Sequence, residues 1–129
     1  LNLLEDMKAR YDLSLVFISH DLSVVRNVSD RVVVMYLGKL CEVGDADRLY
    51  EAPAHPYTRA LLASAPEPAQ SVGVADAVLG DEIPSPTDPP SGCRFRTRCP
   101  LAIDRCAFEE PLMQQINEDH FVACHLPFT

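Results

Sequence analysis

No apolar run in these 129 residues approaches the roughly 20 needed to cross a bilayer, and the amino terminus lacks the basic, apolar, small-residue order of a secretory signal. Those two absences predict an intracellular chain. Basic residues are also scarce: 11 Lys and Arg stand against 19 Asp and Glu, for a net charge of -8 and a pI near 4.8. Phosphate backbones demand clustered cations, so no nucleic-acid partner is expected, and the acidic excess chiefly favours solubility. There is no C-x-x-C among the five cysteines, which removes the commonest paired-ligand spacing for zinc. Nor is there an initiating methionine; the chain opens at Leu1 in what reads as mid-helix, and a piece of a longer protein is expected. What remains is 47% apolar, enough for one domain with a core.

The run Leu13-Ser14-Leu15-Val16-Phe17-Ile18 ends abruptly at Ser19-His20-Asp21 and reads as a strand buried on both faces of a parallel sheet. His20 then stands at the strand's carboxyl end, where open α/β sheets bind ligands; the competing reading is a histidine that packs or caps at a turn. Ser19 or Asp21 can cap a helix beginning at Leu22. Leu1, Leu3, Leu4 and Met7 share a face of a preceding helix, and Leu22, Val25 and Val28 share one of the following helix. Two β-rich runs, Val32 to Leu37 and Leu40 to Gly44, flank Gly38-Lys39 and predict a hairpin. Helix, strand, helix, strand order predicts a parallel α/β core with the hairpin at its edge. Asp45 caps a helix stopped by Pro53, and Pro56 opens a docking helix through Ser64 on which Tyr57, Leu61 and Leu62 are the anchoring side chains. A proline-rich linker follows, with a short strand at Val74 to Leu79, and then a cysteine-containing tail. The expected divisions are 1-50, 51-65, 66-90 and 91-129.

Ile18-Ser19-His20-Asp21-Leu22, Val24-Val25, Asp30-Arg31-Val32-Val33-Val34-Met35, Gly38 and Glu42-Val43-Gly44 together resemble the end of an ATP-binding-cassette (ABC) ATPase domain, a P-loop NTPase fold. Tyr50-Glu51-Ala52-Pro53-Ala54-His55-Pro56-Tyr57-Thr58-Arg59-Ala60-Leu61-Leu62, Gly80-Asp81-Glu82-Ile83-Pro84-Ser85-Pro86 and Pro89-Pro90-Ser91-Gly92-Cys93 resemble the extension of ATPase subunits of oligopeptide and dipeptide importers. The resemblance implies that His20 is the switch histidine on the γ-phosphate of ATP. It also implies ATP and Mg in the parent, membrane-spanning permease subunits and a second ATPase subunit as partners, a peptide-binding protein acting indirectly, and a peripheral place on the cytoplasmic face of the cell membrane. The phosphate loop, the acidic strand end and the signature loop are absent from these residues, so the piece alone is expected to be inactive and to self-associate.

Cys41 reads as a small buried hydrophobe. Cys93, Cys99, Cys106 and Cys124 are a different matter. In an extended 93–99 segment, Cys93, Phe95 and Cys99 face one way and Arg94, Arg96 and Arg98 the other; a helix opened by Pro100 brings Cys99 towards Cys106, and His120 and Cys124 share strand parity. Four sulfurs can meet. Disulfides are disfavoured in a reducing compartment, and zinc would draw on His120 or His125 as substitutes. The resemblance adds a [4Fe-4S] cluster on the four cysteines, with Arg94, Arg96, Arg98 and Arg105 favouring thiolates. The rival function is a metal-binding or redox-sensing module carried on a non-catalytic piece.

Overall fold

The computed structural model describes residues 2–64 and 82–128. The expected Val74 to Leu79 strand and the larger part of the 66–90 linker lie outside them. Helix α1, Asn2–Tyr11, ends at Asp12, whose φ of 50° turns the chain out of the helix. Lys8 pairs with Asp30 and ties α1 to the start of the sheet.

Residues 13–19 form no strand. Val16 is 96% and Ile18 92% exposed, which overturns the expectation of a buried strand there. A strand is a relation between segments: it needs neighbours to accept its backbone hydrogen bonds, and none of the described strands lies beside this one. Helix α2, Leu22–Val28, follows, with the Asp21 carboxylate accepting from the Ser23 and Val24 N–H groups as its N-cap.

The hairpin forms as the sequence predicts. Strands β1, Arg31–Tyr36, and β2, Lys39–Asp45, pair antiparallel through Leu37 and Gly38, whose φ values of 47° and 77° are those of a primed turn. The Asp45 side chain accepts from the Arg48 N–H and starts α3, Ala46–Glu51; α4, Pro56–Ala63, follows with proline in its first turn.

The tail then returns to the sheet. A short helix α5, Arg105–Phe108, leads to β3, Gln114–Asn117, and β4, His120–Val122, and β4 inserts between β2 and β3 to give the order β1-β2-β4-β3. Every pairing among the described residues is antiparallel, so they form a small α/β unit in which the expected parallel pairs are not seen. Parallel strands require crossover connections with a further strand to return to, and β1 to β2 is instead a two-residue turn.

Two cores lie on one face of the sheet. Val32, Ala46 and Leu49 pack with Val25 and Tyr50, which seats α2 and α3. Tyr36, Cys41, Ala60 and Phe95 pack with Tyr57, Cys93 and Cys99, which seats α4 and the tail. The ring centroids of Tyr36, Tyr57 and Phe95 lie 4.8 to 5.2 Å apart, each pair tilted or edge-on. Burying Phe95 contributes about 2–3 kcal/mol, so one tail aromatic outweighs any of the surface ion pairs.

Candidate functional site

His20 sits in an exposed loop immediately before the α2 N-cap. Its neighbour Asp21 holds a lowered carboxyl pKa because its oxygen accepts from the Ser23 hydroxyl and the Val24 N–H. Without a parallel strand behind it, His20 is presented from a loop rather than from a sheet rim. Its ring is exposed, while Asp21 is committed to the cap.

A second constellation, absent from the sequence reading, is buried. Glu42 on β2 has no solvent exposure. Its Oε1 accepts from the Ala54 N–H at 2.7 Å and from His120 Nε2 at 2.7 Å, and its Oε2 accepts from the His55 N–H at 2.9 Å. Three donors and no acceptor face the carboxylate, the arrangement a buried acid requires. One side chain thereby joins β2, the entry to α4 and β4. His55 completes the joint: its Nδ1 accepts from the Tyr57 N–H and caps α4, while burial pushes its pKa down to about 4. At neutral pH its imidazole is uncharged and able to cap. Pattern reading passes over Glu42 because a lone acid in a strand alternates like any outward residue. Its readable signal is His120, two residues before the Val122 that pairs with Glu42, combined with a proline helix start at residue 56, which supplies unpaired N–H groups.

The cysteines come together, by a different route from the one expected. Residues 93–98 are a succession of tight turns, with Arg96 N–H donating to Cys93 O and Arg98 N–H to Phe95 O, not an extended strand. The helix expected from Pro100 forms only at α5. Cys93, Cys99, Cys106 and Cys124 nevertheless line one cavity of about 10 Å³, closed by apolar groups including Phe95, Leu101 and Leu126. All are free thiols. Burial raises the Cys93 and Cys99 thiols and pushes Cys124 up to about 11, with repulsion from neighbouring cysteines adding to it at each of the three. Cys41, beneath them on β2, is pushed up to about 12 by burial and then by Cys93.

The expectation that arginines favour thiolates holds only weakly: Arg96 lowers the Cys93 thiol, but burial outweighs it. Arg94 donates to Leu37 O, Arg96 to Ser91 O, and Arg105 is bound bidentately by Glu109 at 2.7 and 2.8 Å. Burial therefore governs at Cys93, Cys99 and Cys124, whose thiols stay protonated at neutral pH.

The metal groups considered find no support in this arrangement. Among the described residues no three His, Cys, Asp or Glu side chains stand close enough to hold an ion, so neither zinc nor His120 and His125 as its substitutes is accommodated. His120 is instead spent on Glu42, and His125 Nε2 lies 2.9 Å from Glu109 O. The cavity as it stands has room for about one water.

An antiparallel sheet that clasps a proline-started helix through a buried carboxylate, and closes over a thiol-lined cavity, defines a small α/β module with an exposed histidine loop. Residues 41–106 match the family described as the oligopeptide/dipeptide transporter, C-terminal region, and the chain belongs to that family. It is 49% identical over 124 residues to a putative peptide import ATP-binding protein of Brucella ovis, covering 96% of this chain and 39% of that protein. It is 50% identical over 128 residues to the oligopeptide transport ATP-binding protein AppF of Bacillus subtilis, covering 98% of this chain and 39% of AppF. A probable peptide ABC transporter ATP-binding protein of Sinorhizobium fredii is 48% identical over 126 residues, 98% of this chain and 36% of its own length. The chain thus spans about two fifths of the length of the curated relatives it matches. The family match takes in Glu42, the α4 helix, Cys93, Cys99 and Cys106, and stops short of His120 and Cys124.

Proposed function

We propose that this chain is the carboxyl-terminal part of the ATP-binding subunit of an oligopeptide or dipeptide ABC importer, and that His20 is its switch residue. The identity to peptide transport ATP-binding proteins across nearly the whole chain carries this reading. The exposed position of His20, beside a capped helix and clear of both cores, supports it. In the full-length protein, ATP with Mg supplies the phosphoryl group to be transferred. The imidazole of His20 donates to the γ-phosphate oxygens, where charge spreads during transfer, and holds the attacking water in line. The partners are the membrane-spanning permease subunits and a second ATPase subunit, with a peptide-binding protein delivering cargo, and the place of action is the cytoplasmic face of the membrane. No described helix is long and apolar enough to cross it, which suits a peripheral subunit held by its partners.

The test is His20→Ala in the full-length protein assembled with its permease. ATP hydrolysis and peptide uptake are expected to fall about 10²–10³-fold while ATP binding is retained, the size of effect that follows loss of one preorganised donor. Hydrolysis within twofold of the parent would overturn the assignment.

A second reading is favoured by the four free thiols around one cavity. In it, the 91–129 tail is a metal-binding or redox-sensing module carried on a non-catalytic piece.

A further inference from the structure

We propose that Tyr50 is a positioning residue for His20: its hydroxyl, donating to the Leu22 carbonyl, fixes the histidine loop against α3 and so sets where the imidazole meets the γ-phosphate. The inference rests on the switch reading of His20 given above and deepens it. Tyr50 lies within the family match at residues 41–106, whereas His20 and Leu22 lie outside it, so this bond joins the matched region to the loop.

The loop is held within itself by short-range bonds. Ser19 Oγ accepts from the Asp21 N–H at 3.0 Å, which closes a ring of atoms around His20. The Asp21 carboxylate accepts in turn from the Ser23 and Val24 N–H groups at 3.1 and 3.2 Å. His20 is therefore carried as one piece with the first turn of α2, and its place in the molecule is decided by what holds that helix. Packing holds it weakly: α2 has seven residues, about two turns, and none of them is buried.

Tyr50 supplies the firmer anchor. Its ring packs with Val25 against Val32, Ala46 and Leu49, and the Arg26 guanidinium lies 5.5 Å from the ring centroid. From that seat the phenol oxygen reaches the carbonyl of Leu22, two residues beyond His20. Burial raises the phenol's pKa, so the hydroxyl keeps its proton and donates at neutral pH. A carbonyl oxygen has two lone pairs, so this bond adds to the helix without displacing a helical donor. Phenylalanine at this position keeps the ring, its packing and the cation contact, and loses the donor alone. The first turn of α2 is then free to move off α3, and a group that must meet a developing charge works only within about 0.5 Å of its place.

The experiment is Tyr50→Phe, alone and combined with His20→Ala, in the full-length protein assembled with its permease. Alone, it is expected to lower kcat for ATP hydrolysis about tenfold, short of the roughly 10²-fold cost of a misplacement of about 1 Å, with the ATP KM within twofold of the parent. In the His20→Ala background the same change is expected to leave the residual single-turnover rate within twofold, because no imidazole is left to position. A tyrosine that only supports the fold would lower both rates by one factor, and that result overturns the proposal, as does a loss that appears in KM or in ATP binding. Parental hydrolysis by Tyr50→Phe beside an impaired His20→Ala overturns the positioning role and leaves the switch reading intact. Unchanged hydrolysis by His20→Ala overturns both.

Discussion

At the scale of single residues, the features that organise this chain are buried polar groups each placed for one task. Glu42 is in a strand, yet its carboxylate takes up the N–H groups of Ala54 and His55 that proline at 56 and the start of α4 leave without helical partners. His55 can cap α4 only with a lone pair on Nδ1, and the Ala123 carbonyl beside the ring suits a proton on the other nitrogen. Charging the ring would convert Nδ1 from acceptor to donor and put two N–H groups face to face. Its folded pKa of about 4 lies below the ordinary 6.5, so between those values the unfolded chain binds the extra proton. Stability from this group is therefore complete above pH 6.5 and lost as pH falls towards 4. The loss is about 3 kcal/mol at full extent, taken from the separation of those two pKa values. His55→Asn retains a side-chain oxygen for the cap and has nothing to titrate. Urea midpoints of the parent and the variant, measured from pH 7.5 to 4, should converge as pH falls; parallel curves would show that His55 is not the group concerned.

Elements were legible in the sequence to the degree that their signal is local. The hairpin is written in β-rich runs around Gly38, α3 in the Asp45 cap, and α4 in Pro56, and all three form where expected. Strand β3 was not legible, because Gln114 to Asn117 is polar but for Ile116 and half of its definition is the partner β4, reached through Asp119 at φ 55°. The 13–18 run failed in the opposite sense: it has the composition of a strand and no neighbour. Cys93, Cys99, Cys106 and Cys124 line one cavity through turns and an α5 contact rather than through the strand parity expected, because turn geometry is not written in alternation. Glycines show the same division. Gly38 and Gly92 both have positive φ, and for Gly38 an added Cβ would only touch Arg94 at 3.7 Å, whereas for Gly92 it would meet the backbone of Cys106 and Ala107 at 2.4 to 3.0 Å. Gly38→Ala is expected to cost about 1–2 kcal/mol, the strain of a left-handed alanine. Gly92→Ala adds a clash that only separation of the turns from α5 can relieve. Hydrogen exchange at the Cys93 amide should accelerate at least tenfold in Gly92→Ala and stay near the parent rate in Gly38→Ala; equal rates in the two variants would refute the close approach.

For the molecule as a whole, the tail is not an appendage to the hairpin but half of its sheet: β4 hydrogen-bonds β2, Phe95 fills the core under Tyr36, and Arg59 lies 3.6 Å over the Phe128 ring. The opposite end is uncovered. Leu15, Val16, Phe17 and Ile18 are exposed in succession, and β1 and β3 each offer an unpaired edge among the described strands. Surfaces of this kind associate, because extended apolar backbone finds in a second copy the ladder it lacks. The net charge of -8 opposes association only over about a Debye length, and salt shortens that range. This 129-residue chain is therefore expected to form dimers or larger species that grow with concentration and with added salt. Val16→Lys together with Ile18→Glu places opposite charges on the two most exposed side chains of the run, and should return the chain to a monomer without altering the helices and strands seen by circular dichroism. Light scattering decides: a monomer at millimolar concentration in the unaltered chain would mean that the apolar run is satisfied within one copy, and an oligomer that survives the double substitution would move the association to the edges of β1 and β3.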